Sequence, residues 1–362
     1  MAFTKQNLIS LIQAAVKNQA SDIHIRTDEV PCLRIRGDLV PIQTKPFSYE
    51  DVKFIAELVL NKSDLIKILP SIKEYDGGFA IPKLCRIRFN FFRYDNKIGL
   101  IFRIINEKIP KLSDLGLPKV VSKICEQRRG LILVTGATGS GKSTTLAGMI
   151  DQINETRCDH IITVEDPVEY LHNQKKSRIT HREVGRDTED FSAALRGALR
   201  QDPDVILIGE MRDPETIQIA LKAAETGHVV FSTVHTTDSV TTIGRLISMF
   251  PPEEQLEVRK RITENLHATI SQRLLKGNTA NGVVIAMEIM ITSPGVRECI
   301  LGKEDLSRIY QVIASGRGKG GNGSQTFDQH IGHLFENKVI SKATALENVS
   351  SQANFIQSLT FE

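Results

Sequence analysis

A glycine-rich segment at residues 136–143 reads Gly-Ala-Thr-Gly-Ser-Gly-Lys-Ser and fits the P-loop pattern. The run before it, residues 131–134, is short and apolar and predicts a buried strand, while residues 144–150 favour the start of a helix. Strand, glycine-rich loop and helix are the context in which backbone N–H groups surround the phosphates of a nucleotide. The pattern therefore predicts an α/β nucleotide-binding domain.

Each residue type in this loop suits contact with a nucleotide. The helix N-terminus adds partial positive charge, Lys142 would reach the β- and γ-phosphates, and the Ser143 hydroxyl would hold Mg²⁺. The expected cofactors are ATP and Mg²⁺. The expected nucleotide contacts are Thr138, Gly139, Ser140, Gly141, Lys142, Ser143 and Thr144.

Composition limits the protein class further. The chain has 362 residues, 41% of them hydrophobic and 25% charged, which fits a globular protein of about two domains. Since no apolar run approaches the ~20 residues of a membrane span and the N-terminus lacks a secretory signal, we expect a cytoplasmic protein. The net charge is only +3, so nucleic acid is not expected as a partner. The five cysteines form no CxxC pair, which argues against a zinc site.

Residues 1–108 predict a small α+β domain with an antiparallel sheet. Four arginines lie on or beside its last two predicted strands: Arg86, Arg88, Arg93 and Arg103. They are either a solvated sheet face or residues that reach the nucleotide of a neighbouring subunit, as arginine fingers do. Helices are expected over 3–18 and 48–69, and strands over 21–25, 32–42 (a hairpin), 86–91 and 99–105.

Residues 119–362 predict the second domain, after a linker over 109–118 that contains two prolines. Apolar strands alternate with helices here, which indicates a mostly parallel sheet. Strands are expected over 131–135, 160–164, 205–208, 229–233 and 283–287. Helices are expected after the P-loop, over 190–200, 214–226 and 253–275, and in the tail from 294 onward.

Acidic residues follow two of these predicted strands, at the edge where open α/β sheets bind ligands. Glu165, Asp166 and Glu169 come just past the strand over 160–164, where carboxylates can bind Mg²⁺ through water or orient an attacking water. Caps of a helix N-terminus are the alternative role for these acids. Glu210 ends the apolar run 205–208 in the manner of a Walker B strand, although many P-loop proteins have Asp there.

Two histidines, His228 and His235, stand at the two ends of the strand predicted over 229–233. One of them could sense the γ-phosphate by hydrogen bonding, whereas a lone histidine is usually structural.

The order and spacing of these four clusters resemble the secretion and type IV pilus ATPases, over about residues 5–350. Further stretches match that family: 21–24, 86–90, 200–204 and 272–274. The resemblance implies a PAS-like first domain followed by a RecA-like P-loop ATPase domain.

Within this family the chain resembles the pilus-retraction branch. Extension and type II secretion ATPases usually carry an extra N-terminal domain and a four-cysteine zinc motif, whereas this chain begins at the small domain and has no CxxC pair. The segment 295–302 departs from the retraction motif and keeps Arg297 and little else. The stretch 325–329 and the tail look more like an accessory retraction paralogue. Both retraction subtypes therefore stay open.

The resemblance also implies roles and partners. Glu169 would polarise the attacking water, Glu210 would be the Walker B acid, Glu165 and Asp166 would support the metal shell, and His228 and His235 would form the histidine box. It implies a homo-hexamer with nucleotide between the two domains and a hinge over 106–118. The expected partners are an inner-membrane pilus platform protein, which would hold the motor at that membrane, and a paralogous retraction ATPase. A nucleic-acid translocase, a secretion ATPase and a non-hydrolysing accessory subunit are the rival interpretations.

Overall fold

A computed structural model describes residues 3–35, 37–60, 63–82, 84–105, 109–279, 282–318 and 320–358. The chain forms two compact units, Met1–Lys108 and Ile109–Glu362. Among the described residues, no helix is both long and apolar enough to cross a bilayer.

The first unit is built on a six-stranded antiparallel sheet in the order β3-β2-β1-β6-β5-β4. Alternation sets its two faces, because Ile87, Phe89 and Phe91 of β5 are buried with the helices while the residues between them point away. The strands are β1 (Asp22–Arg26), β2 (Cys32–Ile35), β3 (Asp38–Pro41), β4 (Glu74–Ile81), β5 (Cys85–Tyr94) and β6 (Lys97–Ile105). The helices are α1 (Lys5–Lys17), α2 (Tyr49–Leu60) and α3 (Ser63–Ile68).

The second unit is built on a seven-stranded sheet in the order β13-β12-β7-β11-β10-β8-β9. Neighbouring strands are parallel except β12 and β13, which pair antiparallel. The strands are β7 (Gly130–Thr135), β8 (His160–Glu165), β9 (Arg178–Glu183), β10 (Val205–Ile208), β11 (Val229–Val234), β12 (Leu266–Lys276) and β13 (Val283–Ile291). The predicted fold class, an antiparallel α+β unit before a mostly parallel P-loop unit, is confirmed.

Helices cover both faces of this sheet, so its central strands are buried on both sides. Two helices, α4 (Lys119–Ile124) and α5 (Lys142–Thr156), pack on one face. The other face carries α6 (Phe191–Ala198), α7 (Pro214–Glu225), α8 (Ser239–Ser248), α9 (Gln255–Asn265), α10 (Pro294–Leu301) and α11 (Ile309–Ser315). Beyond them, α12 (Phe327–Glu336), α13 (Lys342–Asn348) and α14 (Gln352–Ser358) enclose a smaller core.

The secondary structure departs from prediction at several points. The helix predicted over 253–275 was wrong in its second half, because α9 ends at Asn265 and β12 begins at Leu266. No Gly or Pro marks that boundary, and β12 is extended because it pairs with both β7 and β13. The strands β4 and β9 were not predicted. The helix predicted over 48–69 is two helices, α2 and α3.

Residues 109–118, the predicted linker, include a 3₁₀ turn at Leu112–Leu115 that packs on α5. A Cβ atom at Gly148 of α5 would lie 3.1 Å from Cδ1 of Leu112. The small residue in α5 therefore lets this turn approach the P-loop helix closely.

Candidate active site

The P-loop follows β7 and leads into α5. Gly136, Gly139 and Gly141 have φ values of 143°, 78° and 87°, in the left-handed region that favours glycine. A Cβ atom at Gly136 would lie 2.5 Å from the Ser140 hydroxyl and 2.6 Å from the backbone oxygen of Gln272. The loop can therefore take this path only with glycine at position 136.

Lys142 is buried at the start of α5, and its Nζ atom donates to the backbone oxygens of Gly136 and Ala137 at 2.9 Å each. Burial lowers the pKa of this ammonium, and the negative charges of Glu169 and Glu210 act in the opposite direction. Since those two carboxylates are close enough to affect Lys142, residues far apart in sequence meet at the P-loop.

The other predicted nucleotide contacts lie on the same loop and on the first turn of α5. Thr138 and Gly139 are exposed, while Ser140 is buried. Ser143 and Thr144 are partly buried, and the Thr144 hydroxyl lies 3.1 Å from the Tyr170 hydroxyl. These positions suit backbone and hydroxyl contacts with phosphate oxygens.

Sheet topology brings the other site residues to the P-loop. The neighbouring strands β7, β11, β10 and β8 run parallel, so their carboxyl ends share one edge of the sheet. Directly after these ends stand the P-loop, His235, Glu210 and, closing β8 itself, Glu165. This edge is where ligands bind in open α/β sheets.

Glu210 lies between two basic side chains. Its carboxylate is 2.5 Å from the guanidinium of Arg212 and 3.4 Å from Nε2 of His235, and its side chain is 12% exposed. The turn that carries it is held on β11, because the Thr233 hydroxyl donates to the backbone oxygen of Gly209 at 2.6 Å. Sequence analysis missed Arg212, and its only sequence signal is a cation two residues past the acid.

The acids after β8 lie on an irregular loop over 166–177. These residues are all described and contain no helix, so the alternative of helix caps is wrong. Glu165 is half-buried, Asp166 is exposed, and the Glu169 backbone N–H donates to Oε2 of Glu165 at 3.4 Å. The exposed Glu169 side chain is free to meet a bound water while its charge acts on Lys142.

His228 lies at the amino end of β11, on the side of the sheet away from the P-loop. It precedes β11, whereas His235 follows it, which separates them by roughly 20 Å at ~3.3 Å per residue. Its Nδ1 atom lies 2.9 Å from the backbone oxygen of Ala223 at the end of α7. Its position therefore fits the structural alternative, and within one subunit the geometry gives no support to a role at the P-loop.

The four candidate arginines of the first unit lie on two different faces. Arg93 donates from Nε to the Ile72 backbone oxygen and from Nη2 to that of Leu69, each at 3.0 Å. It thus anchors the segment after α3. Arg103 donates to the buried carboxylate of Asp22 at 3.0 Å, and Arg88 is its register partner on β5. Arg86, Arg88 and Arg103 share the polar face of the sheet, and their contact with nucleotide stays a prediction.

The residues present fit Mg²⁺ when it is bound together with phosphates. Within the described residues, no three His, Cys, Asp or Glu side chains are grouped to hold an ion by themselves. Mg²⁺ in nucleotide sites instead takes one or two protein oxygens, phosphate oxygens and water. The Ser143 hydroxyl is an oxygen ligand of this kind. The Oε2 atom of Glu210 is a second candidate ligand, because it is buried without a hydrogen bond from the described residues.

Comparison with known proteins shows the family to which the chain belongs. A family described as Type II/IV secretion system protein matches residues 2–319. The type IV pilus retraction ATPase PilT of Pseudomonas aeruginosa is 41% identical over 96% of this chain and 100% of its own length. The twitching motility protein of Neisseria gonorrhoeae is 44% identical over 87% of this chain and 83% of its own. The type IV pilus ATPase PilU of P. aeruginosa is 33% identical over 94% and 88%.

Among solved structures, the pilus retraction motor PilT with bound ADP superposes with a TM-score of 0.87 at 38% identity, covering 97% of this chain and 99% of that one. The match spans both compact units, and the matched structure contains bound ADP. The chain therefore belongs to the type II/IV secretion system protein family and is a nucleotide-binding ATPase similar to the pilus-retraction motors of that family.

Proposed function

We propose that this protein is a hexameric ATP-hydrolysing motor that powers type IV pilus retraction. The observation that carries the proposal is the meeting of Lys142, Glu169 and Glu210 at the carboxyl ends of the parallel strands. The chain that contains them matches PilT over 100% of the length of PilT. A site with all three groups has the parts for hydrolysis as well as for nucleotide binding.

The roles of the residues follow from their positions. Backbone N–H groups of the P-loop bind the phosphates, and Lys142 exchanges its loop carbonyl partners for phosphate oxygens. Ser143 and Glu210, with Glu165 and Asp166 nearby, would hold Mg²⁺, which supplies positive charge to the phosphate oxygens. Glu169 orients the attacking water and takes up its proton, and His235 fixes the Glu210 carboxylate.

The assembly and partners extend this proposal. Six copies would form a ring, and the ring would act on an inner-membrane platform protein so that pilins leave the filament. The motor would thus be cytoplasmic and held at the membrane by its partner. The similarity to PilT and to a twitching motility protein supports retraction, and the similarity to PilU supports a paralogous ATPase as a second partner.

Two alternatives are kept as outcomes of the test. An accessory subunit would depend on a partner motor, but the intact Lys142, Glu169 and Glu210 and the higher identity to PilT than to PilU favour a motor. An extension or type II secretion ATPase would share the same hydrolytic site but would act in the opposite direction or on other pilins.

The test is a strain that carries Lys142→Ala, scored for surface pili and twitching motility. Lys222→Ala, at an exposed lysine of α7, is the matched control. Many pili without movement would support retraction, whereas loss of pili would indicate extension. Unchanged pili and movement would indicate an accessory role or a function outside pili. Mass measurement of the purified assembly tests the hexamer separately.

A further inference from the structure

The loop that carries Glu169 has no helix or strand over 166–177, yet it is hydrogen-bonded to the protein on both sides of this residue. Before Glu169, the Val168 backbone N–H donates to Oε2 of Glu183 at 3.2 Å. After it, the His172 backbone N–H donates to Nε2 of His181 at 3.1 Å. An irregular segment with such fixed points is a positioned loop rather than a free one.

The contacts of the His181 imidazole define which tautomer a neutral ring adopts. Because Nε2 accepts the His172 N–H, a neutral ring must carry its proton on Nδ1. That Nδ1 atom lies 2.9 Å from the hydroxyl of Thr163, a residue with no exposed surface on the neighbouring strand β8. The His172 ring stacks on the His181 ring at a centroid distance of 5.8 Å.

The P-loop helix α5 holds the remainder of the same loop. Asn154, which has no exposed surface, donates from Nδ2 to the Asn173 backbone oxygen at 2.8 Å and accepts the Lys175 N–H at 3.0 Å. The Lys175 ammonium contacts Asp151 at 2.7 Å. At the other end of α5, Thr144 contacts Tyr170, the residue after Glu169. The loop is therefore attached to both ends of α5.

We propose that His181 is a positioning residue for ATP hydrolysis, which holds the Glu169 carboxylate in place through the backbone of His172. Asn154 supports the same loop from α5. Only two residues, Tyr170 and Leu171, separate Glu169 from the His172 anchor, so loss of that anchor displaces the carboxylate without removing a nucleotide contact. The proposal rests on the catalytic role proposed for Glu169.

The test compares two substitutions at His181 in the purified full-length assembly. The amide oxygen of His181→Gln reaches the place of Nε2 and can accept the His172 N–H. His181→Asn is too short to do so but can still contact Thr163. We expect His181→Asn to lower kcat for ATP about tenfold or more, with nucleotide Kd within about twofold, and His181→Gln to stay within about threefold of native.

A double variant separates positioning from a general structural effect. In a Glu169→Gln background His181→Asn should cost nothing further, because its effect acts through Glu169. The proposal would be overturned if the kcat losses of Glu169→Gln and His181→Asn multiplied in the double variant. It would also be overturned if Gln and Asn at position 181 lowered kcat equally, or if nucleotide affinity fell in parallel with kcat. Should His181→Asn fail to fold, Tyr170→Phe removes the Thr144 contact of the residue next to Glu169, between Glu169 and the His172 anchor, and must lower kcat with unchanged Kd.

A wrong assignment of Glu169 as the catalytic residue would be detected by a separate measurement. Full ATPase activity of Glu169→Gln would overturn its catalytic role, whatever the His181 variants do. The readout is hydrolysis by purified protein, so it does not depend on whether the motor serves pilus retraction.

Discussion

The Nε2 atom of His235 lies 3.4 Å from the Oε2 atom of Glu210, across the ends of the neighbouring strands β11 and β10. The opposite oxygen of the same carboxylate contacts Arg212. Arg212 thus pairs with one oxygen of Glu210, while the other oxygen, Oε2, lies near His235 and is buried without a hydrogen bond from the described residues. The Arg212 contact fixes the direction of this carboxylate, and the proposed role of Glu210 is to hold Mg²⁺ with the phosphates.

We therefore expect Glu210→Gln to lower ATP hydrolysis about 100-fold or more, because the amide keeps the shape and loses the charge. ADP affinity measured without Mg²⁺ should change little. Glu215→Gln removes an exposed carboxylate of α7 that pairs with Arg196 and is the matched control. Mg²⁺ titrations of ATPase activity make the measurement, and native activity in Glu210→Gln would contradict the assignment.

Gly136→Ala should abolish tight nucleotide binding. Its added methyl would lie 2.6 Å from the Gln272 backbone oxygen, which cannot move without displacing β12, at a φ of 143°. Gly139→Ala has a φ of 78° and no atom within 4 Å, so it carries only backbone strain of about 1 kcal/mol. Calorimetric titration with ADP compares the two. Equal affinities for both variants would show that the loop adapts.

Stability should fall with acid in a way that depends on His330. Burial lowers the pKa of His330 to about 4, and its Nδ1 atom accepts the Met287 N–H at 2.9 Å. As the pH falls, His330 is protonated in the unfolded state at a higher pH than in the folded state. Its contribution to the free energy of unfolding is therefore complete above pH ~6.5 and is lost as the pH falls toward 4. We expect this histidine to account for about 2 kcal/mol of the difference between pH 7 and pH 5.

His330→Asn keeps an acceptor near the Met287 N–H and removes the titration, so its unfolding free energy should vary less between these two pH values. His333→Asn, on the same helix with a half-exposed side chain, is the control. Urea denaturation at both pH values gives the result. An unchanged pH dependence in His330→Asn would mean that other groups, such as the buried His172, dominate it.

Arg93→Ala should act on stability and not on catalysis. It removes two hydrogen bonds and leaves the backbone oxygens of Leu69 and Ile72 without their charged donor, at a cost of about 2 kcal/mol. Arg88→Ala, on the opposite face of β5, should change stability by at most about 0.5 kcal/mol. Thermal unfolding with ATPase assays separates the two. A folded but inactive Arg93→Ala would place this arginine at the nucleotide instead.

Sequence alone predicted the P-loop and its backbone path because the signals for them are local. The glycines at 136 and 141 are required by backbone angles that the loop itself imposes, and Lys142 and Ser143 follow in the same turn. The role predicted for Glu210 rests on a similar local rule, an acid that follows an apolar strand. The meeting of these segments could be predicted as well, since carboxyl ends of parallel strands share one edge.

Other features depend on partners that are distant in the chain. Residues 266–276 became a strand because β7 and β13 lie on either side, and nothing within the segment itself marks that choice. His228 and His235 look alike in sequence, yet the direction of β11 puts them at opposite edges of the sheet. The strand β9, and with it the contact of His181 with the Glu169 loop, left no periodic signal.

The sequence by itself determined the fold class, the P-loop and the acids that accompany it, because short-range backbone geometry and strand order specify them. Only the tertiary structure decided which side chains support those residues. Arg212, His181 and Asn154 owe their positions to strand register and to packing on α5, and Arg93 owes its role to the side of β5 on which it lies. Such contacts join segments far apart in the chain, so no local pattern encodes them.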